Sequence, residues 1–449
     1  MSELNNYSGL SAHQNFLAHF DRLVGLSFSG VTLFLLVILF FTAPMLGFVL
    51  PGWGGALFII HCLVFLLFTW ILLTKWSRLT DHLLSVILTL AWCPIYWLLD
   101  VTPLGDNWLA QVQIHPGCMF SEALGVAYLK ILYLNGLWYV TPYIAPASGS
   151  LTTYFALRIL FLLTSKAPES HVREWRFFAV CLFVSTGVHL IFFKGYLETT
   201  QLAVPFAVIS SYLLLKHIQT GLLSYAIYSA GFFSLAFLMH ASNIFWFPVF
   251  FILPVYVSLV VAKRAFNFNL LIPGLLSIIL IIIVLMVLNE FEGFEIFAGG
   301  AAGGGDGRMF VPLFEAAGEY ERYVIFSKDH LSDVGAIFSV TNFLFLFAGP
   351  LYVISWKRLI ESNRSQTEIC SLFFTLVFLA HFTLAFFWNF DLGFPHDFDL
   401  MVSMGILWLG LPLMLIMMTH SRPPLSAWFV LIFGQIVTWL DIGVYLLPG

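Results

Sequence analysis

Charge is what this sequence has least of. Asp, Glu, Lys and Arg make up 10% of its 449 residues, and 60% are hydrophobic. Soluble domains carry roughly 25% charged residues. The shortage excludes a soluble enzyme, a disordered chain and a nucleic-acid binder, because each needs a charged surface. Cysteine is also sparse. Cys62, Cys93, Cys181 and Cys370 fall in apolar runs, and Cys118 stands in a loop with no evident partner, so no disulfide framework is expected. Strand-like alternation is missing, which excludes a β-barrel. No Walker loop, dinucleotide fingerprint or nucleophile elbow occurs, so nucleotide-driven chemistry is unsupported. No repeat suggests the inverted halves of a transporter. A cleavable signal is not expected either: the first 24 residues are polar, and the run after them is long enough to span a bilayer.

What the chain has is apolar runs. A helix needs about 20 apolar residues to cross a bilayer. Runs fall at 28–50, 54–74, 83–99, 150–165, 177–193, 202–216, 222–240, 244–262, 270–289, 334–355, 369–388, 400–418 and 425–446. The reading is an all-α polytopic membrane protein, one transmembrane domain over 1–449 with about 13 crossings. The first long external loop, within 100–149, is expected to hold interfacial helices broken by Pro142 and Pro146. A Gly-rich external loop is expected over 290–333, around the GGAAGGGDG run at 299–307.

Basic residues follow alternate runs. Arg22, Lys75, Arg78, Lys166, Arg173, Arg176, Lys216, Lys263, Arg264, Lys357, Arg358, Arg364 and Arg422 are 13 of the 19, all on one side if the crossings are right. The positive-inside rule makes that side, with the N-terminus, cytoplasmic, and the C-terminus external. The opposite loops are long, acidic and rich in glycine and aromatics, and such loops are where functional residues gather.

Four stretches there can carry chemistry. In LLDVTPLGDNWLAQVQIHPG, 98–117, Asp106 lies at a turn with Asp100 six residues before it. A carboxylate at the boundary serves as a general base on a hydroxyl, or caps the next helix. In KGYLETTQ, Lys194 and Glu198 share a short turn; Lys194 anchors at the interface or joins a site. In the Gly-rich loop the glycines are a flexible joint, a lid, or an anion nest beside Arg308. Further on, Lys328 and His330 precede a span with Ser327, Asp329 and Asp333 beside them. They hold a phosphate, or Ser327 and Asp329 cap a helix. In FPHDFDLM, Asp397 suits a helix cap, while Asp399 lies about a turn inside an apolar run. Arg158, within the fourth run, is the other costly charge and a candidate partner for Asp399. His396, Asp397 and Asp399 have a metal-capable spacing, but no zinc-like array accompanies them.

Leu104-Gly105-Asp106, Gly195-Tyr196-Leu197-Glu198, Ser327 to Asp333 and Asp397-Phe398-Asp399-Leu400 come in this order along about 100–400. Together they resemble bacterial members of the GT-C superfamily of integral-membrane glycosyltransferases. The resemblance implies transfer of a sugar from a polyprenyl-phosphate donor on the external face of a bacterial inner membrane. The acceptor is a lipid, glycan or protein. It implies Asp106 as catalytic base. Lys328 and His330 would contact the donor phosphate, with Lys194 and Arg308 as alternates. Glu198, Asp397, Asp399 and Asp100 would shape the sugar or acceptor site. Membrane lipids are implied as partners, nucleic acid is not, and no cofactor is required by it. The chain departs from the family pattern in placing this acidic loop after the third run instead of the first, and in spacing its two acids widely. Two other classes stay open: a transporter or flippase of lipid-linked glycans, and a non-catalytic subunit of an envelope-glycan assembly complex.

The loop charges give an expected topology. Reporter fusions or cysteine labelling at 75–80, 166–176 and 357–364 should read cytoplasm, and labelling at 300–325 should read outside. A cytoplasmic signal from 300–325 would put every candidate loop on the wrong face.

Overall fold

The computed structural model of the chain describes residues 53–76, 79–98, 123–186, 199–256, 268–290, 311–314, 324–342, 366–387 and 409–445. Among these residues all regular structure is helical. In chain order the helices are α1 Trp53–Lys75, α2 Asp81–Trp92, α3 Pro94–Leu98, α4 Ala123–Leu134, α5 Thr141–Thr164, α6 Val172–Ser185 and α7 Thr199–Thr220. They continue with α8 Leu223–Met239, α9 Val249–Tyr256, α10 Ile272–Asn289, α11 Lys328–Asn342, α12 Gln366–Phe387, α13 Gly410–Thr419 and α14 Leu425–Tyr445. Tyr143–Thr164, Thr200–Thr220, Ile272–Asn289 and Ile369–Phe387 are long and apolar enough to cross a bilayer. The chain is therefore a membrane protein, all-helical among the described residues. The run at 28–50 lies outside the described residues, and each of the other runs overlaps a helix.

Two boundaries differ from the sequence reading. The stretch 141–149 is not a separate interfacial piece: α5 starts at Thr141 and runs unbroken through Pro146. Pro142 stands in the first turn, where a missing N–H costs nothing. Pro146 gives up one hydrogen bond, a loss that membrane helices offset by local side-chain bonding. The acceptor that the missing Pro146 N–H leaves is the Pro142 carbonyl; one turn on, the Ser150 hydroxyl donates to the Pro146 carbonyl at 2.8 Å. The run 83–99 also divides. Pro94 cannot donate to the preceding turn, so α2 ends at Trp92 and a new short helix begins.

Hydrocarbon gives helices no hydrophobic reason to associate, so close packing and hydrogen bonds must hold them together. The α7–α8 contact shows this. Ser210 Oγ donates to the Ser229 carbonyl at 2.8 Å, and Ser229 Oγ donates to the Ser210 carbonyl at 2.9 Å. Buried Ala207, Ala226 and Ala230 let the two backbones approach. The same device continues to α10, where Ser234 Oγ reaches the Ser277 carbonyl at 3.2 Å. Elsewhere aromatics fill the core. Trp92 and Trp175 are fully buried, as are Phe177, Phe178 and Phe183. Phe178 packs edge-on against Trp428 of α14 at 4.8 Å. The Trp175 indole donates to the Ser421 carbonyl at 2.9 Å, tying α6 to the turn before α14. Asp81 at the start of α2 pairs with Arg176 of α6.

Glycine marks two close approaches. A Cβ on Gly410, at the start of α13, would collide with the buried ring of Phe374. One on Gly274 would meet Phe251, which is only half-buried. Overpacking costs typically about 1–3 kcal/mol where neighbours cannot yield. Gly410→Ala should therefore lower the melting temperature of the purified protein, while Gly274→Ala, whose neighbour can turn aside, should change it little. Equal melting shifts for the two would contradict the packing described.

Candidate functional site

Among the described residues four histidines are buried at or near helix ends, and His217, in the last turn of α7, bonds the Leu222 carbonyl at 2.9 Å. His240 ends α8, His381 lies in the last turns of α12, and His330 lies in the first turn of α11. Each is held by a local arrangement that can be built from the residues up.

The α8–α9 connection starts with His240, whose extended backbone (φ −155°, ψ 121°) stops the helix. The chain then forms a 3₁₀ turn over Ala241–Trp246. The His240 Nδ1 accepts from the Ser242 N–H at 3.2 Å and pairs with the Ser242 hydroxyl at 2.7 Å. The Asn243 amide donates to the carbonyls of Ala236 at 3.1 Å and His240 at 2.9 Å. Both carbonyls also accept a backbone N–H, from His240 at 3.1 Å and from Asn243 at 3.3 Å, so the amide adds a second bond to each. A break between two apolar helices is thus closed by three polar side chains from one short segment.

The same turn is fastened to α12. The Trp246 indole N–H donates to His381 Nε2, and the two rings meet edge-on at 5.2 Å. The backbone of Val377, one turn back, also interacts with the His381 ring. An Nε2 that accepts from an indole N–H carries no proton itself, which leaves the proton on Nδ1 and fixes one neutral tautomer. The imidazole is a spacer that fastens the 3₁₀ turn to α12.

At the top of α12 the chain is joined to the segment before α11. Val311 N–H donates to the Phe387 carbonyl at 2.9 Å, and Ile325 N–H to the Pro312 carbonyl at 3.0 Å. Val311 and Ile325 are buried beside Phe386. Ser327 then caps α11, its hydroxyl accepting from the His330 N–H at 3.3 Å. His330 Nε2 donates to the Phe386 carbonyl at 2.9 Å, and its ring lies edge-on to that of Phe386 at 5.6 Å. Burial pushes the His330 imidazole below its ordinary value, partly opposed by the Phe386 carbonyl and by Asp333. Near neutral pH the ring is uncharged. Lys328, at the first position of α11, is exposed, and so is Asp329.

The sequence candidates fall on both sides of this description. Lys328 and His330 stand two residues apart in one turn. Lys328 points to solvent, and His330 turns inward to bond α12. Asp106, Asp100, Lys194, Glu198, Arg308, Asp397 and Asp399 lie outside the described residues. Among the described residues no group of His, Cys, Asp and Glu is placed to hold a metal ion. The inward-facing set of His240, Asn243, Trp246 and His381 was not among the sequence candidates. Its signal is present in the sequence as polar residues within apolar runs, MHASN at 239–243 and His381 within 369–388. Comparison of the chain with protein-family models, with curated proteins and with solved structures finds no match.

The His330 contact has a sign. A folded-state value below the ordinary one means that the opened state binds the proton more readily. The stability this docking gives is complete above about pH 6.5, the reference value for histidine. It is lost as pH falls from there toward the depressed value. Hydrogen exchange at 327–331 should therefore speed up, after correction for intrinsic rates, between pH 7.5 and 5. His330→Gln should flatten that dependence. Corrected exchange that is independent of pH in the unaltered protein would contradict the burial of the ring.

Proposed function

We propose that the chain is a GT-C type glycosyltransferase of the bacterial inner membrane, crossing it about 13 times with the N-terminus cytoplasmic and the C-terminus external. It takes a sugar from a polyprenyl-phosphate donor at the external face and passes it to a lipid, glycan or protein hydroxyl. The support is the ordered set of four motifs and the position of Lys328. A cation on the first turn of a helix is on the wrong end of the helix dipole, at a cost of about 0.3–1 kcal/mol. Helix stability therefore gives no reason for Lys328. An anionic ligand does, since helix N-termini favour anions through free N–H groups and the dipole.

In this reading Asp106 removes the proton from the acceptor hydroxyl. The acceptor oxygen bonds the sugar's anomeric carbon as the bond from that carbon to the phosphate oxygen breaks. The electron pair leaves with the polyprenyl phosphate, whose charge rises through the step. Lys328 stabilises that charge, and such stabilisation is commonly the largest catalytic term. His330 fixes the turn that bears Lys328, through its bond to the Phe386 carbonyl. Glu198, Asp100, Asp397 and Asp399 shape the sugar and acceptor pockets, with Lys194 and Arg308 as further cations near the donor.

The test is to incubate purified protein in nanodiscs with polyprenyl-phosphate sugars and measure release of polyprenyl phosphate. Asp106→Asn should reduce it by at least ~10²-fold, the usual worth of a general base. As a helix cap Asn is nearly as good as Asp, so a fully active Asn variant would remove the base. Lys328→Ala should weaken donor binding and slow transfer, and Lys328→Arg should restore part of both. Unchanged donor affinity in Lys328→Ala would move the phosphate to Lys194 or Arg308. No release from any polyprenyl donor, together with movement of lipid-linked glycan across the bilayer, would favour the flippase reading.

A further inference from the structure

Two neighbouring helices carry the same short pattern, an aromatic hydroxyl followed four residues later by a cation. On α5 it is Tyr154 and Arg158, and on α7 it is Tyr212 and Lys216. Residues four apart lie on one face of a helix, one above the other. The two stripes face each other. The Arg158 guanidinium donates to the Tyr212 hydroxyl at 2.7 Å and lies over the Tyr212 ring, 5.4 Å from its centre. Phe155 packs between them, its ring 5.7 Å from that of Tyr212. Tyr154 extends the set to α2, where its hydroxyl meets His82 Nδ1 at 2.6 Å.

The charge here is not balanced by the described protein. The described salt bridges are Asp81 with Arg176 and His171 with Glu174, and neither reaches Arg158 or Lys216. A guanidinium has five donors in a planar fork, and Tyr212 takes one. Arg158 is half-buried and lies six residues from the end of α5, about 9 Å along the axis at 1.5 Å per residue. An arginine at such depth in a spanning helix is expensive and calls for an anion or for functional use. Lys216, also half-buried, places a second cation four residues from the end of α7.

We infer that the Tyr154–Arg158 and Tyr212–Lys216 stripes form a binding site for the phosphate of an anionic membrane phospholipid. The chemistry is that of phosphate in general. Arg158 offers a fork already flattened on Tyr212, the geometry that phosphate takes bidentately. The flanking hydroxyl of Tyr154 and the ring of His82 add polar contacts beside it. The lipid is the preferred source because Arg158 lies within a helix long and apolar enough to cross a bilayer, where a headgroup phosphate is the anion at hand. This site is separate from the proposed transfer site and does not depend on it.

The experiment is native mass spectrometry of the full chain released from nanodiscs of phosphatidylglycerol mixed with phosphatidylcholine, with melting curves recorded in parallel. Retained phosphatidylglycerol should exceed phosphatidylcholine. Arg158→Gln should reduce its affinity by ~5-fold, the usual worth of one cation at an anionic lipid surface. Arg158→Lys should recover part of that loss. Should Arg158→Gln fail to fold, Lys216→Gln should still lower retention, since it removes no side-chain bond among the described residues. Several results would overturn the site. One is equal retention of both lipids. Another is unchanged phosphatidylglycerol in both cation variants. A third is displacement by inorganic phosphate alone at the lipid's own concentration, which would make the ligand a free anion. The last is equal loss of melting temperature in Arg158→Gln and Asp399→Asn with lipid retention intact, which would make Asp399 the partner of Arg158.

Discussion

A hydrogen-bonding group placed in hydrocarbon has no water to turn to, and most of the described structure answers to that constraint. Hydroxyls along the helices bond back to the preceding turn, as Thr69 does to the Phe65 carbonyl and Ser211 to the Ala207 carbonyl. Where two helices meet closely, the same hydroxyls cross over, and Ser210 and Ser229 exchange bonds instead of each serving its own helix. Such bonds are individually modest, about 0.6 kcal/mol on average within a membrane. Their effect is to set which helices can touch and at what height. The aromatic packing of Phe178 and Trp428 then fills the space that this register leaves.

The constraint is most demanding where a helix stops inside the bundle. Between α8 and α9 the chain breaks with His240, Ser242, Asn243 and Trp246 within seven residues, and each is committed to closing the break or to fastening it. Leaving one such group unpaired costs about 1–3 kcal/mol, more than its bond contributes when made. That asymmetry makes the break rigid. It also explains why polar side chains cluster there without forming a metal centre: their atoms are spent on backbone carbonyls and on each other. His330 behaves alike at the start of α11. By turning inward to Phe386 it leaves Lys328 and Asp329 as the outward groups of that turn, a division of labour that the spacing of candidates in a sequence cannot reveal.

How much was legible follows from what hydropathy measures. It counts how apolar a stretch is, and so the runs at 54–74, 202–216, 270–289 and 369–388 became α1, α7, α10 and α12 nearly as read. It does not measure direction. Pro146 was read as a breaker because in water it is one, yet α5 passes through it, with a Ser150 bond alongside. Pro94 was passed over, and there the helix does divide. Of the candidate site, the pair at Lys328 and His330 was legible as polar residues before an apolar run, and so was the capping role of Ser327. The inward role of His330 was not, since it depends on Phe386, 56 residues away. His381 was hidden for the same reason: a lone histidine in a long apolar run says nothing of an indole 135 residues earlier in the chain.

The two proposed phosphate sites differ in the kind of cation they use, and the difference suits their tasks. At Arg158 the guanidinium is planar, rests on the Tyr212 face and has one donor already directed. Little rotamer freedom is lost when a phosphate arrives, so the fork favours lasting occupancy of one orientation. At Lys328 the ammonium is a compact point charge on a flexible stem, exposed at the tip of a helix. It makes no demand on orientation and can follow an oxygen whose charge grows and then departs. A leaving phosphate needs stabilisation that increases during the reaction, because interactions equal in ground and transition states raise affinity without raising turnover. A structural lipid needs the reverse, an affinity that does not change with the catalytic cycle. Exchanging the two side chains would therefore weaken both sites, although the charge at each would be unchanged.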